Sequence, residues 1–302
     1  KSKNLKWIQL ESVGFEKYSK VKIPGLMITN LRGFFSIPVA ETALAGILSL
    51  KRGINRLSSL KDKKKWLGSR IRPTLNLLNG SKIAVPDAEI ATHAIVVAKN
   101  EKGVSLQLVD LSSNGVKIEY QENIDESRGH FQIKFDNVEC QLIGDESNGW
   151  NLYETIVNQA AVLFAYEQIG GSQAAMDMAI DYAKERYAFG RPIGSFQAIK
   201  HKLADMYISL TIAKSNCYYA AWALSTNSSD LPAASATARV SATKAYQFCS
   251  KENIQTHGGN GFTWEYDCHM FYRRSKLLSL NIGSLSNWKE KLVVGLEQSN
   301  IN

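Results

Sequence analysis

The feature that most constrains the fold is a helical apolar pattern filling the second half of this 302-residue chain. From Gly149 onwards apolar residues recur every three or four positions, which places them on one face of a helix. The stripe from Ile169 to Tyr187 predicts a long helix ending at the Gly190–Pro192 segment, since glycine followed by proline terminates helices. Further helices are expected at residues 196–224, at 233–255 and, as one or two elements, at 265–296. The pattern predicts a four-helix bundle.

Residues 82–150 instead have the pattern of antiparallel strands. A strand at 93–98 and a turn at 100–103 lead into Val104–Val109, whose apolar and polar residues alternate and predict a half-buried strand. Asn114 and Gly115 indicate a further turn. More strands are expected at residues 116–120 and 131–135.

The first 78 residues mix short strands and a helix. Strands are predicted at Leu5–Gln9 and Met27–Asn30, and a helix at Val39–Leu57. The expected fold class is therefore α+β, with an α/β fragment, an antiparallel β unit and a helical bundle. The predicted domains are residues 1–78, 79–150 and 151–302.

Composition narrows the classes of partner. The formal net charge is +8 and the pI about 9.2, but dense basic tracts with interleaved aromatics are missing, so nucleic acid is not an expected partner and an anionic ligand is. No run of 18 apolar residues predicts a membrane span, and a signal peptide is not recognisable, which favours a cytoplasmic protein. The four cysteines are widely spaced without a CxxC motif. They predict buried free thiols rather than a metal site.

Two motifs carry the most specific information. Arg186–Met206 contains Arg-Tyr-Ala-Phe-Gly-Arg-Pro, and Gln255–Glu265 contains Gln-Thr-His-Gly-Gly-Asn-Gly-Phe. Together they resemble the C-terminal half of the acyl-CoA dehydrogenases, and the resemblance begins near Leu78. It implies an FAD-dependent α,β-desaturation of an acyl-CoA thioester, electron transfer to an electron-transfer flavoprotein, and a homo- or hetero-oligomer.

The same resemblance implies which residues contact FAD. A guanidinium binds phosphate oxygens in a bidentate manner, and consecutive glycines let the backbone approach a ligand closely. A surface arginine and an ordinary helix cap are the alternative interpretations of the two motifs. His257 is expected to be a hydrogen-bonded structural histidine, and the Gly170–Gly171 pair to allow close helix packing. The candidate cofactor-binding residues are Arg186, Phe189, Gln197, Gln255, Gly258 and Gly259.

A catalytic base is not apparent. In the resembled family a glutamate removes the substrate α-proton, and the two positions that can hold it are Ile282 and Ala160 here. Glu167 is the nearest carboxylate. It lies about 10.5 Å beyond Ala160 along the same helix, whereas proton transfer needs a distance of about 3 Å. It is therefore a weak candidate and a better structural ion-pair partner. Two alternatives follow: a non-catalytic subunit of a paired acyl-CoA dehydrogenase, or a truncated or chimeric remnant.

The N-terminal residues resemble a different family. Leu5–Gln9, Ser12–Gly14, Thr29–Gly33 and Pro38–Ala45 are similar to part of the catalytic domain of D-2-hydroxyacid dehydrogenases. That family binds NAD through a Gly-x-Gly-x-x-Gly turn after a strand. After Ile83 this chain has no such glycines, which argues against an NAD-dependent 2-hydroxyacid dehydrogenase.

Overall fold

The computed structural model describes residues 7–9, 27–29 and 75–300. The chain divides into two units, residues 1–74 and 75–302. In the first unit, strand β1 (Trp7–Gln9) pairs in parallel with β2 (Met27–Thr29). Both strands were predicted. The helix expected at residues 39–57 lies outside the described residues, and the N-terminal resemblance stays a prediction.

The second unit begins with an antiparallel sheet. Its strand order is β3-β7-β5-β4, and β6 pairs with β7 as well. All pairings are antiparallel, as the alternating patterns predict. The strands are β3 (Leu75–Pro86), β4 (His93–Asn100), β5 (Gly103–Asp110), β6 (Val116–Gln121) and β7 (His130–Ile143).

The prediction of a half-buried strand at Val104–Val109 is wrong. Strand β5 lies between β4 and β7, and its polar residues Ser105 and Gln107 are 1% and 4% exposed. The Gln107 amide donates to Ser105 Oγ over 2.9 Å, and an added Cβ at Gly149 would overlap the Ser105 backbone. Both faces of β5 are therefore buried. The polar side chains Ser105 and Gln107 tolerate burial because they hydrogen-bond to each other, next to the helix that starts at Gly149.

The helical part follows the sheet. Its helices are α1 (Gly149–Glu185), α2 (Gln197–Ser225), α3 (Leu231–His257), α4 (Cys268–Leu278) and α5 (Leu285–Asn300). Their number and order confirm the helical prediction. In residues 75–300, no helix combines the length and the apolar character needed to cross a bilayer.

Helix α1 ends at Glu185, earlier than predicted. Arg186 already has extended backbone, and a two-stranded hairpin follows, formed by β8 (Tyr187–Ala188) and β9 (Arg191–Pro192). Its turn residues Phe189 and Gly190 both have positive φ, 53° and 77°, which is the geometry of a tight hairpin turn. Gly190 thus makes the turn rather than ending the helix, and Tyr187 leaves the buried stripe with 64% exposure.

Small residues let the bundle helices approach closely. An added Cβ at Gly171 would overlap the buried Tyr246 ring of α3, whereas at Gly170 it would meet nothing within 4 Å. The close-packing prediction is confirmed for Gly171 and wrong for Gly170. All four cysteines are buried and free, as expected. The core of the bundle consists mainly of alanine, with Cys217 and Cys249 among its buried residues.

Candidate functional site

The first candidate segment is the end of α1. The Arg186 N–H donates to the Tyr182 carbonyl over 2.9 Å, and the Arg186 carbonyl accepts from Ile193 N–H over 2.8 Å. Its backbone is therefore fixed on both sides. The side chain is exposed, and within residues 75–300 its guanidinium has no ion-pair or hydrogen-bond partner. A fixed arginine with free donors is suited to a bidentate contact with phosphate.

The second segment is the hairpin turn and the start of α2. Phe189 is 95% exposed and makes an edge contact with Phe196, whose ring also lies 4.0 Å from the Arg191 guanidinium. Gln197 is exposed and is the first residue of α2, which has no side-chain cap. The free N–H groups of this helix start favour an anion nearby.

The third segment is the turn that ends α3. Gly258 has φ +61° and donates its N–H to the Gln255 carbonyl. An added Cβ at Gly258 or Gly259 would meet no atom within 4 Å, and the Gln255 side chain is exposed. The positive φ favours glycine at position 258, and the open space leaves the backbone accessible to a ligand.

Tyr182 brings two of these segments together. It lies one helical turn before Arg186, stacks on the His257 ring at 4.0 Å, and accepts a 3.0 Å hydrogen bond from the Asn260 amide. His257 is itself buried, with its Nδ1 2.9 Å from the Asn253 carbonyl oxygen. Burial lowers the pKa of His257, which favours the neutral ring. The end of α1 is thus held against the glycine turn, and His257 has the structural environment expected of it.

The two positions that could hold a catalytic base carry apolar side chains. Ile282 has φ +54° and packs against an apolar cluster formed by Val157, Ala161, Ala236 and Trp288. Ala160 is half-buried in α1. Glu167 instead forms ion pairs with Arg274, at 2.9 Å, and with Arg128, at 3.9 Å. Proton-accepting groups are therefore missing from both positions, and Glu167 is occupied as a structural partner.

Glu167 belongs to an ion-pair network that the sequence reasoning missed. Arg128 pairs with Asp87 at 2.6 Å, and Arg274 of α4 pairs with Asp125 in the connection before β7. Burial opposes ionisation of Asp125, yet hydrogen bonds from Ser127 and Arg274, together with the Arg274 charge, hold its pKa below the usual value. The network joins the sheet to α1 and α4. A link between Asp125 and Arg274 spans 149 positions, too far for local patterns to reveal.

A second missed residue is Arg239 of α3, which is fully buried. Its guanidinium donates to Gln168, to the Leu278 carbonyl and, over 2.9 Å, to the Asn281 carbonyl. Burial lowers its pKa to about 10. Arg239 therefore fixes the end of α4 and the loop that leads to Ile282. An arginine among the mostly small residues of positions 233–243 was the detectable indication.

Comparison with known proteins identifies the relatives of these helices. Residues 147–285 match the family model described as acyl-CoA dehydrogenase, C-terminal domain. Acyl-CoA dehydrogenase IpdE2 of Mycobacterium tuberculosis is 42% identical over 120 residues, 40% of this chain. Caffeyl-CoA reductase-Etf complex subunit CarC of Acetobacterium woodii is 30% identical over 73% of this chain. The solved ChsE4-ChsE5 complex from Mycobacterium tuberculosis matches with a TM-score of 0.67 and 22% identity over 73% of this chain, a likeness of fold.

These matches cover only part of each relative. The chain spans 36% of IpdE2, 60% of CarC and 60% of the matched chain of the ChsE4-ChsE5 complex.

Proposed function

Because the C-terminal half of this chain belongs to the acyl-CoA dehydrogenase family, we propose that it is part of an FAD-dependent enzyme desaturating an acyl-CoA thioester, with its catalytic base supplied by another chain. One combination of observations carries this proposal. Arg186 and the Gly258 turn offer an unpaired guanidinium and accessible backbone to a ligand, whereas the position of the base holds an apolar residue, Ile282. Electrons would pass to an electron-transfer flavoprotein.

The residues present fit a dinucleotide cofactor. The free Arg186 guanidinium would bind its diphosphate, and the open backbone at Gly258 and Gly259 would let it lie close to α3. The exposed Phe189 and Gln197 would contact it from the hairpin and from the start of α2. Bound FAD would accept the hydride that leaves the substrate β-carbon.

At the two positions that could hold the base, this chain lacks a group that could remove the α-proton of the substrate. Desaturation removes a proton from the α-carbon, and this proton needs an acceptor within about 3 Å. Neither Ile282 nor Ala160 can accept it, and Glu167 is held by Arg274 and Arg128. This favours a non-catalytic subunit over a self-sufficient enzyme. The remnant interpretation is the competing one, and binding of FAD separates the two.

The first test concerns FAD. Arg186→Ala should weaken binding by about 1.5–3 kcal/mol, because a charge-assisted contact is lost. The measurement is a titration of the protein with FAD, followed by flavin fluorescence. Lys184→Ala is the matched control: it removes the same charge from the same helix end, but Lys184 pairs with Asp181 at 3.2 Å. Equal FAD affinity of the Arg186 variant and the wild type would refute the site.

The second test concerns turnover. With FAD present and no partner chain, the protein should not reduce an electron-accepting dye with acyl-CoA thioesters of several lengths, since a general base contributes roughly 10²–10⁴-fold. Ile282→Glu should create dye reduction. Ile282→Gln should not, because glutamine has the shape of glutamate but cannot accept the proton. Robust turnover by the unmodified chain would contradict the proposal. Loss of that turnover in Glu167→Gln would then identify Glu167 as the base.

A further inference from the structure

The sheet contains a feature that the proposed function does not use. A cavity of about 500 Å³ lies between β3 and β4. It is lined by consecutive residues, 76–82 of β3 and 96–100 of β4, above a floor that includes Ser105, Gln107 and Cys140. Successive side chains of a strand point to opposite faces. Consecutive lining residues therefore mean that the cavity is bordered by the backbone edges of both strands.

Both edges are unpaired within the described part of the chain. Strand β3 pairs only with β7 there, and β4 pairs only with β5. The Lys82 ammonium reaches from β3 to the Val97 carbonyl of β4 over 2.9 Å, so this carbonyl points away from β5. In an antiparallel strand the N–H and C=O of one residue point to the same side. Within residues 75–300 the Val97 N–H is therefore also unpaired, as are those of Ile95 and Lys99, two positions away on either side.

We propose that this cavity, the strand slot between β3 residues 76–82 and β4 residues 96–100, binds an extended, acidic segment of a partner polypeptide. Free strand edges bind an added strand through main-chain hydrogen bonds. Among the described residues that line the slot, the charged ones are Lys82 and Lys99. The added strand would displace the Lys82 ammonium from the Val97 carbonyl. Carboxylates on the outward face of this strand would then pair with the Lys82 and Lys99 ammonium groups.

The floor of the slot selects the inward side chains. Asn76 donates to Gln107 Oε1 over 3.4 Å, Gln107 donates to Ser105, and the Cys140 thiol donates to the Asn76 carbonyl over 3.1 Å. This polar floor favours small hydroxyl side chains, which can join its hydrogen bonds. The occupant is thus a strand that alternates threonine or serine with glutamate or aspartate. The inference is independent of flavin binding and of desaturation.

The test uses a fluorescent eight-residue peptide of alternating threonine and glutamate, titrated into the full chain. Binding should be saturable and should slow amide hydrogen exchange at Ile95, Val97 and Lys99. The matched control peptide, alternating threonine and lysine, should bind at least about tenfold more weakly. Failure of the acidic peptide to bind, or equal binding of both peptides, would overturn the proposal. So would slow exchange at these three amides in the free protein, since the edge would then already be occupied.

Two variants separate strand addition from binding of any anion. Val97→Pro removes an outward N–H and leaves the bonds from β4 to β5 intact, and it should weaken the acidic peptide at least about tenfold. Val97→Thr keeps both the N–H and a β-branched side chain, and it should bind as the wild type does. Unchanged affinity in Val97→Pro would refute main-chain pairing. Lys82→Glu, at an exposed side chain, provides the test if the proline variant does not fold: it should reverse the preference to the lysine peptide.

Discussion

The helical bundle and the sheet of the same unit satisfy their backbone in different ways. Inside the bundle each helix closes its own hydrogen bonds, and small residues such as Gly171 let neighbouring helices pack tightly. In the sheet, β3 and β4 each keep an edge that nothing in the described residues pairs. A helix needs its neighbours only for packing, whereas a strand needs them for hydrogen bonds as well. Without a neighbouring element a helix therefore keeps its backbone hydrogen bonds, whereas a strand keeps an open edge.

The largest expected effect tests whether the bundle is closed by its one buried arginine. Arg239→Met should lower the free energy of unfolding by about 2–6 kcal/mol, because the Leu278 and Asn281 carbonyls lose their donor at about 1–3 kcal/mol each. Urea unfolding followed by far-UV circular dichroism measures it. Arg191→Met, at an exposed arginine, is the control. A loss below about 1 kcal/mol would mean that the bundle does not depend on this arginine.

The next prediction sharpens the account of helix packing with two adjacent glycines. Gly171→Ala should destabilise the protein by about 1–3 kcal/mol, because the new methyl group would overlap the Tyr246 ring. Gly170→Ala should stabilise it by roughly 0.5–1 kcal/mol, since alanine is the better helix former and nothing lies nearby. Thermal unfolding of the two variants gives the comparison. The same sign for both would contradict the close approach of α1 and α3.

The smallest effect concerns the connection between the two regions. Asp125→Asn should cost about 1 kcal/mol at pH 7, because Arg274 keeps its other partners. The folded-state pKa of Asp125 is lowered, so its contribution is present above the unfolded value near 3.9. It is lost as the pH falls through the lower folded value, and the difference between variant and wild type should disappear there. Urea titrations at pH 7, 5 and 3 measure this.

A matched control for the pH series is Glu119→Gln, which removes an exposed ion pair with Lys134. The hydrogen bond and charge of Lys134 lower the pKa of Glu119 too, but solvent screens this exposed pair. The unfolding midpoint of Glu119→Gln should therefore change less with pH than that of Asp125→Asn. A difference for Asp125→Asn that does not shrink between pH 5 and pH 3 would show that the side chain acts through its shape rather than through its charge.

The same contrast explains what the sequence could predict. Helices α1 to α5 follow from a local apolar period, so their existence and order were predictable. The end of α1 was not, because the Phe189–Gly190 turn requires a non-glycine residue at positive φ, which propensity disfavours. The burial of Gln107 and the strand slot depend on which strands become neighbours. The pairing of Arg274 with Asp125 depends on contacts across 149 positions.

The candidate site divides in the same manner. The glycines after Gln255 predicted the end of α3 correctly, since glycine spacing marks a helix end locally. Arg186 was expected within the helix and lies instead just past the end of α1. That these ends meet through Tyr182 could not be anticipated, because an ordinary tyrosine within a helical stripe has no distinguishing pattern. The roles of these residues towards FAD remain predictions.

Tyr182 has a consequence for the timing of local motion. The Tyr182 ring stacks on His257, its hydroxyl accepts from Asn260, and the residue lies one turn before Arg186. Tyr182 can therefore move away from these contacts only if the end of α1 and the glycine turn both loosen. The last turn of α1 and the glycine turn after α3 should then open as one cooperative unit rather than fray separately. A ligand that touches either segment would slow the opening of both, and the two segments would share one residence time with it.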